Sequence, residues 1–152
     1  MVSAFVDASV LFAATYSSTG VARDLLKLAL SGRINLVVSQ LVLLEVQRNL
    51  ANKAPEKIGF LLTLLETDVF QHAPALTREE ILEAASYTAL KDAAVVSAAL
   101  KANVDFLVTY DRKHLINPPE VSEKSGLRIV TPDVVVQALA SHDNGEGADD
   151  KS

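Results

Sequence analysis

The stretch KDAAVVSAALKANVDFLVTYDRKHL, Lys91 to Leu115, decides the fold. Its first half reads as a helix with Asp92 at its start; its second half, DFLVT, is a short β-branched run that breaks off into charge at Asp111. The same alternation runs along the whole chain. Strands are expected at SAFVD near the start, INLVVS (34–39), DVFQHA (68–73), DFLVT (105–109) and LRIVT (127–131), with helix-length segments between them. RDLLKLALSGR ends at Gly32, SQLVLLEVQRNLANK opens with Ser39 as N-cap, REEILEAASYT loads acids into its first turn, and Thr131 caps a last helix that starts at Pro132. Alternating strands and helices predict an α/β fold, a three-layer α/β/α sandwich around a mainly parallel five-stranded sheet.

Composition sets outer bounds on function. At 152 residues, 49% hydrophobic and 22% charged, residues 1–140 suit one domain with one core. SHDNGEGADDKS, from Ser141, is polar and acidic and is expected to be a disordered, solvated tail. The chain has no cysteine, which excludes disulfides, thiolate metal sites and a thiol nucleophile and fits a cytoplasmic location. MVSAFVDAS lacks the pattern of a signal peptide, and no apolar run is long enough to span a membrane, so the protein is expected to be soluble and unexported. The net charge of −5 argues only weakly against a polyanionic partner. Residues 141–152 hold four of the acids and one base, and if four further acids share a metal site, the remaining body carries 11 acids against 13 bases.

In such a sheet the strand C-ends and the following helix N-ends share one edge, where open α/β folds place their ligands. Asp7 closes the first strand. Asp92 begins the helix before the fourth strand, and Asp111 follows that strand. Glu45 lies six residues after Ser39, about 9 Å down its helix, with a side chain leaning back to the same edge. Taken singly, each has a bland reading: helix cap, first-turn anion, turn residue or solvent-facing Glu. Together they are four like charges on one edge, a costly arrangement without a counter-ion. A divalent cation held by hard oxygen ligands resolves the cost, with Mg²⁺ or Mn²⁺ favoured over zinc in the absence of cysteine or paired histidine. Such an ion suits phosphodiester hydrolysis.

These residues resemble the PIN-domain family of Mg²⁺-dependent ribonucleases, many of them toxins of prokaryotic toxin–antitoxin pairs. The markers are FVDASVLFAA at the start, SQLVLLEV around Glu45, and Lys91 to Leu115 as quoted above. The resemblance implies that Asp7, Glu45, Asp92 and Asp111 form the catalytic and metal-binding set, with Asp7, Asp92 and Asp111 holding the ion and Glu45 acting as ligand or through water. It makes Ser9 and Thr109 supporting donors, and implies in-line attack by metal-activated water to leave a 5′-phosphate and a 3′-hydroxyl. Tyr110 stands where the family often has a small residue, and Lys91 where a further acid is common. Arg112, Lys113 and His114 are candidates for holding RNA phosphates, against an equal reading as a solvated basic loop. His72 and His142 have no support as ligands.

Other chemistries fit less well. A phosphoaspartate enzyme of the haloacid dehalogenase type needs a second Asp two residues after the first, where Ser9 stands, and a response-regulator receiver needs an acidic pair that Asp7 lacks. A PIN fold used only to bind RNA or protein remains the alternative to a nuclease. QLVLLEVQRNL and EKIGFLLTLLETDVF are rich enough in apolar residues to form a dimer face, although wide buried helix stripes account for them equally well. The family resemblance implies a single-stranded RNA substrate, a homodimer, a small antitoxin covering the acidic edge, and no membrane association.

Overall fold

Every expected strand forms in the computed structural model: β1 (Ser3–Val6), β2 (Asn35–Val38), β3 (Phe70–His72), β4 (Phe106–Val108) and β5 (Arg128–Val130). The structure describes residues 1–150, with side chains described for residues 1–141. All four pairings are parallel and the spatial order is β3-β2-β1-β4-β5. The expectation of a mainly parallel sheet is therefore met by a wholly parallel one. Covered on both faces, its central strands are continuous apolar runs: Ala4, Phe5 and Val6 of β1, and Phe106, Leu107 and Val108 of β4, are all buried. Each of these side chains larger than Ala4 contributes roughly 1.5–3 kcal/mol through burial.

The helices are α1 (Ala8–Tyr16), α2 (Val21–Leu30), α3 (Gln40–Lys53), α4 (Ile58–Leu65), α5 (Arg78–Ala85), α6 (Leu90–Lys101), α7 (Pro119–Ser125) and α8 (Pro132–Asp150). They form two packed groups: α1 lies against α2 and α3, with α2 also against α8, while α5 pairs with α6. Caps fix several of the boundaries. Ser39 Oγ accepts from Val42 N–H at 3.2 Å, so α3 begins where expected. Thr77 and Glu80 form a reciprocal capping box at the head of α5. After α2 the chain turns through Ser31 to Gly32, whose φ of +77° suits glycine at the helix end.

Helix α8 continues through most of the stretch expected as a tail; side chains from 142 onward, including His142, and residues 151 and 152 lie outside the described residues. Among the described residues no helix is long and apolar enough to cross a membrane.

The topology selects one place for chemistry. Strand β1 pairs with β2 on one side and β4 on the other, so the order of the sheet reverses at β1. Side chains leaving the carboxyl ends of β1 and β4 meet at this switch point.

Candidate active site

Asp7 follows β1 and Thr109 follows β4, and the register that pairs Val6 with Val108 sets them side by side. The Asp7 backbone N–H donates to Val108 O at 3.0 Å, extending the ladder by one bond. Asp7 then caps α1, with Oδ1 accepting from Ala8 N–H at 2.7 Å. Its Oδ2 accepts from the Thr109 hydroxyl at 2.8 Å, and the same hydroxyl accepts from Asp111 N–H at 3.0 Å. Thr109 is fully buried and ties the two acidic loops together. Ser9 acts one step further out: its Oγ accepts from Tyr110 N–H at 3.1 Å, fastening the head of α1 to the loop after β4.

Burial pushes the Asp7 carboxyl up from its ordinary 3.8; the Thr109 and Ala8 hydrogen bonds oppose this, and the charges of Glu45 and Asp92 add to it. Three of the expected acids therefore sense one another. Glu45 itself is exposed on α3.

Asp92 lies in the first turn of α6, whose N-cap residue Ala89 offers no side-chain bond. The first-turn position admits a helix anion, yet Asp92 Oδ2 is buried without a hydrogen-bond partner. The nearest cation, Lys91 Nζ, is 3.4 Å away, close enough for charge attraction but without hydrogen-bond geometry. The same ammonium stands 3.6 Å from Asp111 Oδ2.

Asp111 performs two tasks. Its Oδ1 caps a single π-helical turn, Arg112–Ile116, by accepting from His114 N–H at 3.0 Å, and the His114 ring Nδ1 lies 3.2 Å from the same oxygen. Oδ2 is left facing Asp92 and Lys91. Burial raises the Asp111 carboxyl, but the His114 bonds and charge and the Lys91 ammonium outweigh it and hold the group below its usual range. The reading of Asp111 as a turn residue and its reading as a ligand thus apply to different oxygens of one side chain.

Asp92, Asp111 and His114 form the tightest group, with one ligand atom from each lying within 4.8 Å of the others. Asp7 joins this group through Thr109 and through charge, and Glu45 through charge alone. Of the three basic residues considered for RNA phosphates, Arg112 and Lys113 are exposed, while His114 turns back onto Asp111. His72, on edge strand β3, is not in the group. Neither the position of Lys91 between two acids nor the inward turn of His114 is expected from the sequence; the i,i+3 spacing of Asp111 and His114 is the one signal that could have revealed the latter.

A cavity of about 420 Å³ opens beside His114 and is also lined by Lys113, Lys124 and Thr88. A larger one, about 680 Å³, lies at the opposite edge of the sheet around Met1, Arg33, Asp105 and Arg128, away from the acid group. The smaller cavity is the relevant one, because it shares a wall with the only described group of residues able to hold a metal ion.

Hard carboxylate oxygens, one of them buried and unpartnered, fit a divalent cation of the Mg²⁺ or Mn²⁺ type. His114, with its ring on Asp111, suits the part of a group that orients a ligand. No curated protein matches the chain. A family model described as PIN domain matches residues 3–113, a span that contains all four acids.

Proposed function

The chain belongs to the PIN-domain family, a family of nuclease type, and from that premise we propose that it is a Mg²⁺-dependent endoribonuclease acting on single-stranded RNA. One observation carries the reading: Asp92 Oδ2 is buried without a hydrogen bond, beside Asp111 and within the field of Asp7. A buried carboxylate oxygen without a hydrogen-bond donor, with only the Lys91 ammonium at 3.4 Å, is free to bind a further cation.

Asp92 Oδ2, Asp111 Oδ2 and the Asp7 carboxylate would hold the ion. When bound, it supplies the charge that lowers the pKa of a water and offsets the charge growing on the phosphodiester. The remaining work falls to the protein. Thr109 keeps Asp7 and the Asp111 loop in one geometry, and Ser9 holds the backbone at Tyr110. Glu45 stands within the field of Asp7 and in contact with solvent, placed to take the proton of the attacking water. Water oxygen bonds to phosphorus, the P–O3′ bond breaks, and the departing 3′ oxygen takes a proton from solvent, leaving a 5′-phosphate and a 3′-hydroxyl. Arg112 and Lys113, with the cavity that Lys113 shares with Lys124, provide cationic ground for the neighbouring phosphates.

The proposal extends to context. The nuclease domain is residues 1–140, followed by an acidic tail, residues 141–152. The protein is a cytoplasmic toxin of a toxin–antitoxin pair that forms a homodimer, and a small antitoxin covers the acidic edge. Leu41 and Leu44 of α3 and Leu62 of α4 are exposed, which supports a dimer face on those helices. The second reading, a PIN fold that binds RNA without cutting it, draws on Lys91, whose ammonium already offsets part of the acidic charge.

Incubation of the purified chain with end-labelled single-stranded RNA, with Mg²⁺ or with chelator, separates the readings. Chelator-sensitive cleavage that disappears in Asp92→Asn, with an unchanged circular dichroism spectrum, is expected. RNA retained intact by a protein that binds it favours the binding-only module. Equal cleavage by wild type and Asp92→Asn would mean a contaminating nuclease and would remove the assignment.

A further inference from the structure

Lys91 has a side chain that is 60% exposed, with solvent open to its ammonium. It nevertheless places Nζ 3.4 Å from Asp92 Oδ2 and 3.6 Å from Asp111 Oδ2. Those are the two oxygens that local structure leaves unused: Asp111 Oδ1 is taken by His114, and Asp92 Oδ2 has no hydrogen bond. The ammonium therefore approaches from the solvent side and caps the pair of atoms best placed to hold a metal.

Distances decide what that cation can be. At 3.4 and 3.6 Å the ammonium stands beyond even a charge-assisted hydrogen bond of about 2.7–2.9 Å, so it leaves both oxygens open to the shorter contacts, about 2.0–2.1 Å, of a magnesium ion. Sites that use two ions add an outer station beside the first ion. Lys91 offers one positive charge, shared between Asp92 and Asp111, on the side where such a second ion would share them. It brings half the charge of a divalent ion and no exchangeable coordination sphere.

We propose that Lys91 is a tethered cation filling the outer cation station of the acid group, so that the site takes one divalent ion and not two. The inference rests on the metal-dependent nuclease reading and sharpens it. Lys91 acts as a positioning residue: it lessens repulsion between Asp92 and Asp111 before metal arrives, and it keeps the outer station closed afterwards. Two consequences follow from charge alone. Removing the ammonium strengthens the attraction of the acids for the inner ion, and replacing it with a carboxylate supplies a further ligand and opens the outer station.

The test is calorimetric titration of Mn²⁺ into the full chain as wild type, Lys91→Met and Lys91→Glu, with the melting temperature of each protein read before and after loading. The wild type is expected to bind one ion. Lys91→Met should bind its ion roughly tenfold more tightly, and Lys91→Glu should bind two. Metal-free Lys91→Glu should melt below the wild type and recover on loading. Two ions in the wild type, or one ion at wild-type affinity in both variants, would overturn the role of Lys91 while leaving the metal site standing. Absence of Mn²⁺ binding in all three proteins would overturn the metal-dependent reading as well. Because Lys91 is exposed, neither substitution removes a core contact, and circular dichroism checks that each variant folds.

Discussion

Strand β4 carries an acid beside each end, and the two are treated differently. At the amino end, Asp105 is exposed, and its Oδ2 accepts from Ser3 N–H at 2.8 Å with the Ser3 hydroxyl at 3.4 Å. It pins the start of β1 to the start of β4, and water serves the rest of its charge. At the carboxyl end, Asp111 gives one oxygen to its own turn and turns the other toward Lys91 and Asp92, with half-buried Asp7 linked to it through Thr109. Neutral donors satisfy the first acid; the second shares two ionisable partners, His114 and Lys91, with a neighbouring carboxylate, Asp92. A charge that is structural is served by fixed backbone and hydroxyl donors, whereas the second acid stands in a group of charges that can rearrange around a ligand.

The strongest way to break this comparison is to neutralise each acid in turn. Asp111→Asn should weaken Mn²⁺ binding and lower RNA cleavage by about a hundredfold or more, whereas Asp105→Asn should leave both within about twofold and cost about 1 kcal/mol of stability. Calorimetry, cleavage rates and thermal melts on the two proteins decide it. Equal losses from both would make the two ends equivalent.

Thr109 offers a smaller and more specific probe. Thr109→Val removes the hydroxyl that serves Asp7 and Asp111 while keeping the buried shape, so metal affinity should fall roughly 10–100-fold. Thr109→Ser should restore most of it. Metal affinity that is unchanged in Thr109→Val would detach the hydroxyl from the site.

Next in size is a stability effect whose sign depends on pH. Because burial raises the Asp7 pKa above 3.8, Asp7 is neutral in both folded and unfolded chains at low pH, and stability is lost as pH rises through its folded value. Asp111, held below its usual range, has the opposite sign: its contribution is present at neutral pH and lost as acid protonates it. Metal-free Asp7→Asn should therefore match the wild type at low pH and exceed it in melting temperature at pH 7. A lower melting temperature for the variant at neutral pH would show that the cap on α1 outweighs the buried charge. The smallest effect belongs to the amino end: Ser3→Ala loses the 3.4 Å contact to Asp105 Oδ2 and the 3.3 Å bond its hydroxyl accepts from Asp105 N–H, both long, and should change stability by less than about 0.5 kcal/mol with no change in cleavage.

All five strands were legible because buried parallel strands must be short apolar runs, and the edge holding the acids followed from their alternation with helices. Asp7 and Asp111 could be placed there because each directly follows a strand. The cap at Ser39 depends on a local bond that sequence encodes directly. Helices α1, α4 and α7 were less visible: α7 is seven residues long, and α4 is so apolar that it resembled a contact face, although Leu61 and Leu64 are buried. The least legible feature was where long or ring side chains end. Lys91 reaches two acids through four methylenes, and His114 reaches Asp111 through a π-helical turn, a backbone form that hydrophobic periodicity does not announce. Glu45 shows the converse, since helical rise placed it near the edge but could not say that it remains exposed.

The hydrogen bond between Thr109 and Asp7 joins residues 102 apart in the chain, and this separation governs when the acids meet. Strand β1 is made first and finds β2 early, with Ser3 opposite Asn35, but its other neighbour arrives only with Phe106. Closing so long a loop is slow, and until it closes the central strand of the sheet has a bare edge. During synthesis the N-terminal part emerges carrying Asp7 and Glu45 alone, without the residues that complete the group. This order of assembly keeps the acid group incomplete until the segment carrying Asp92, Thr109 and Asp111 has been made and has closed onto β1.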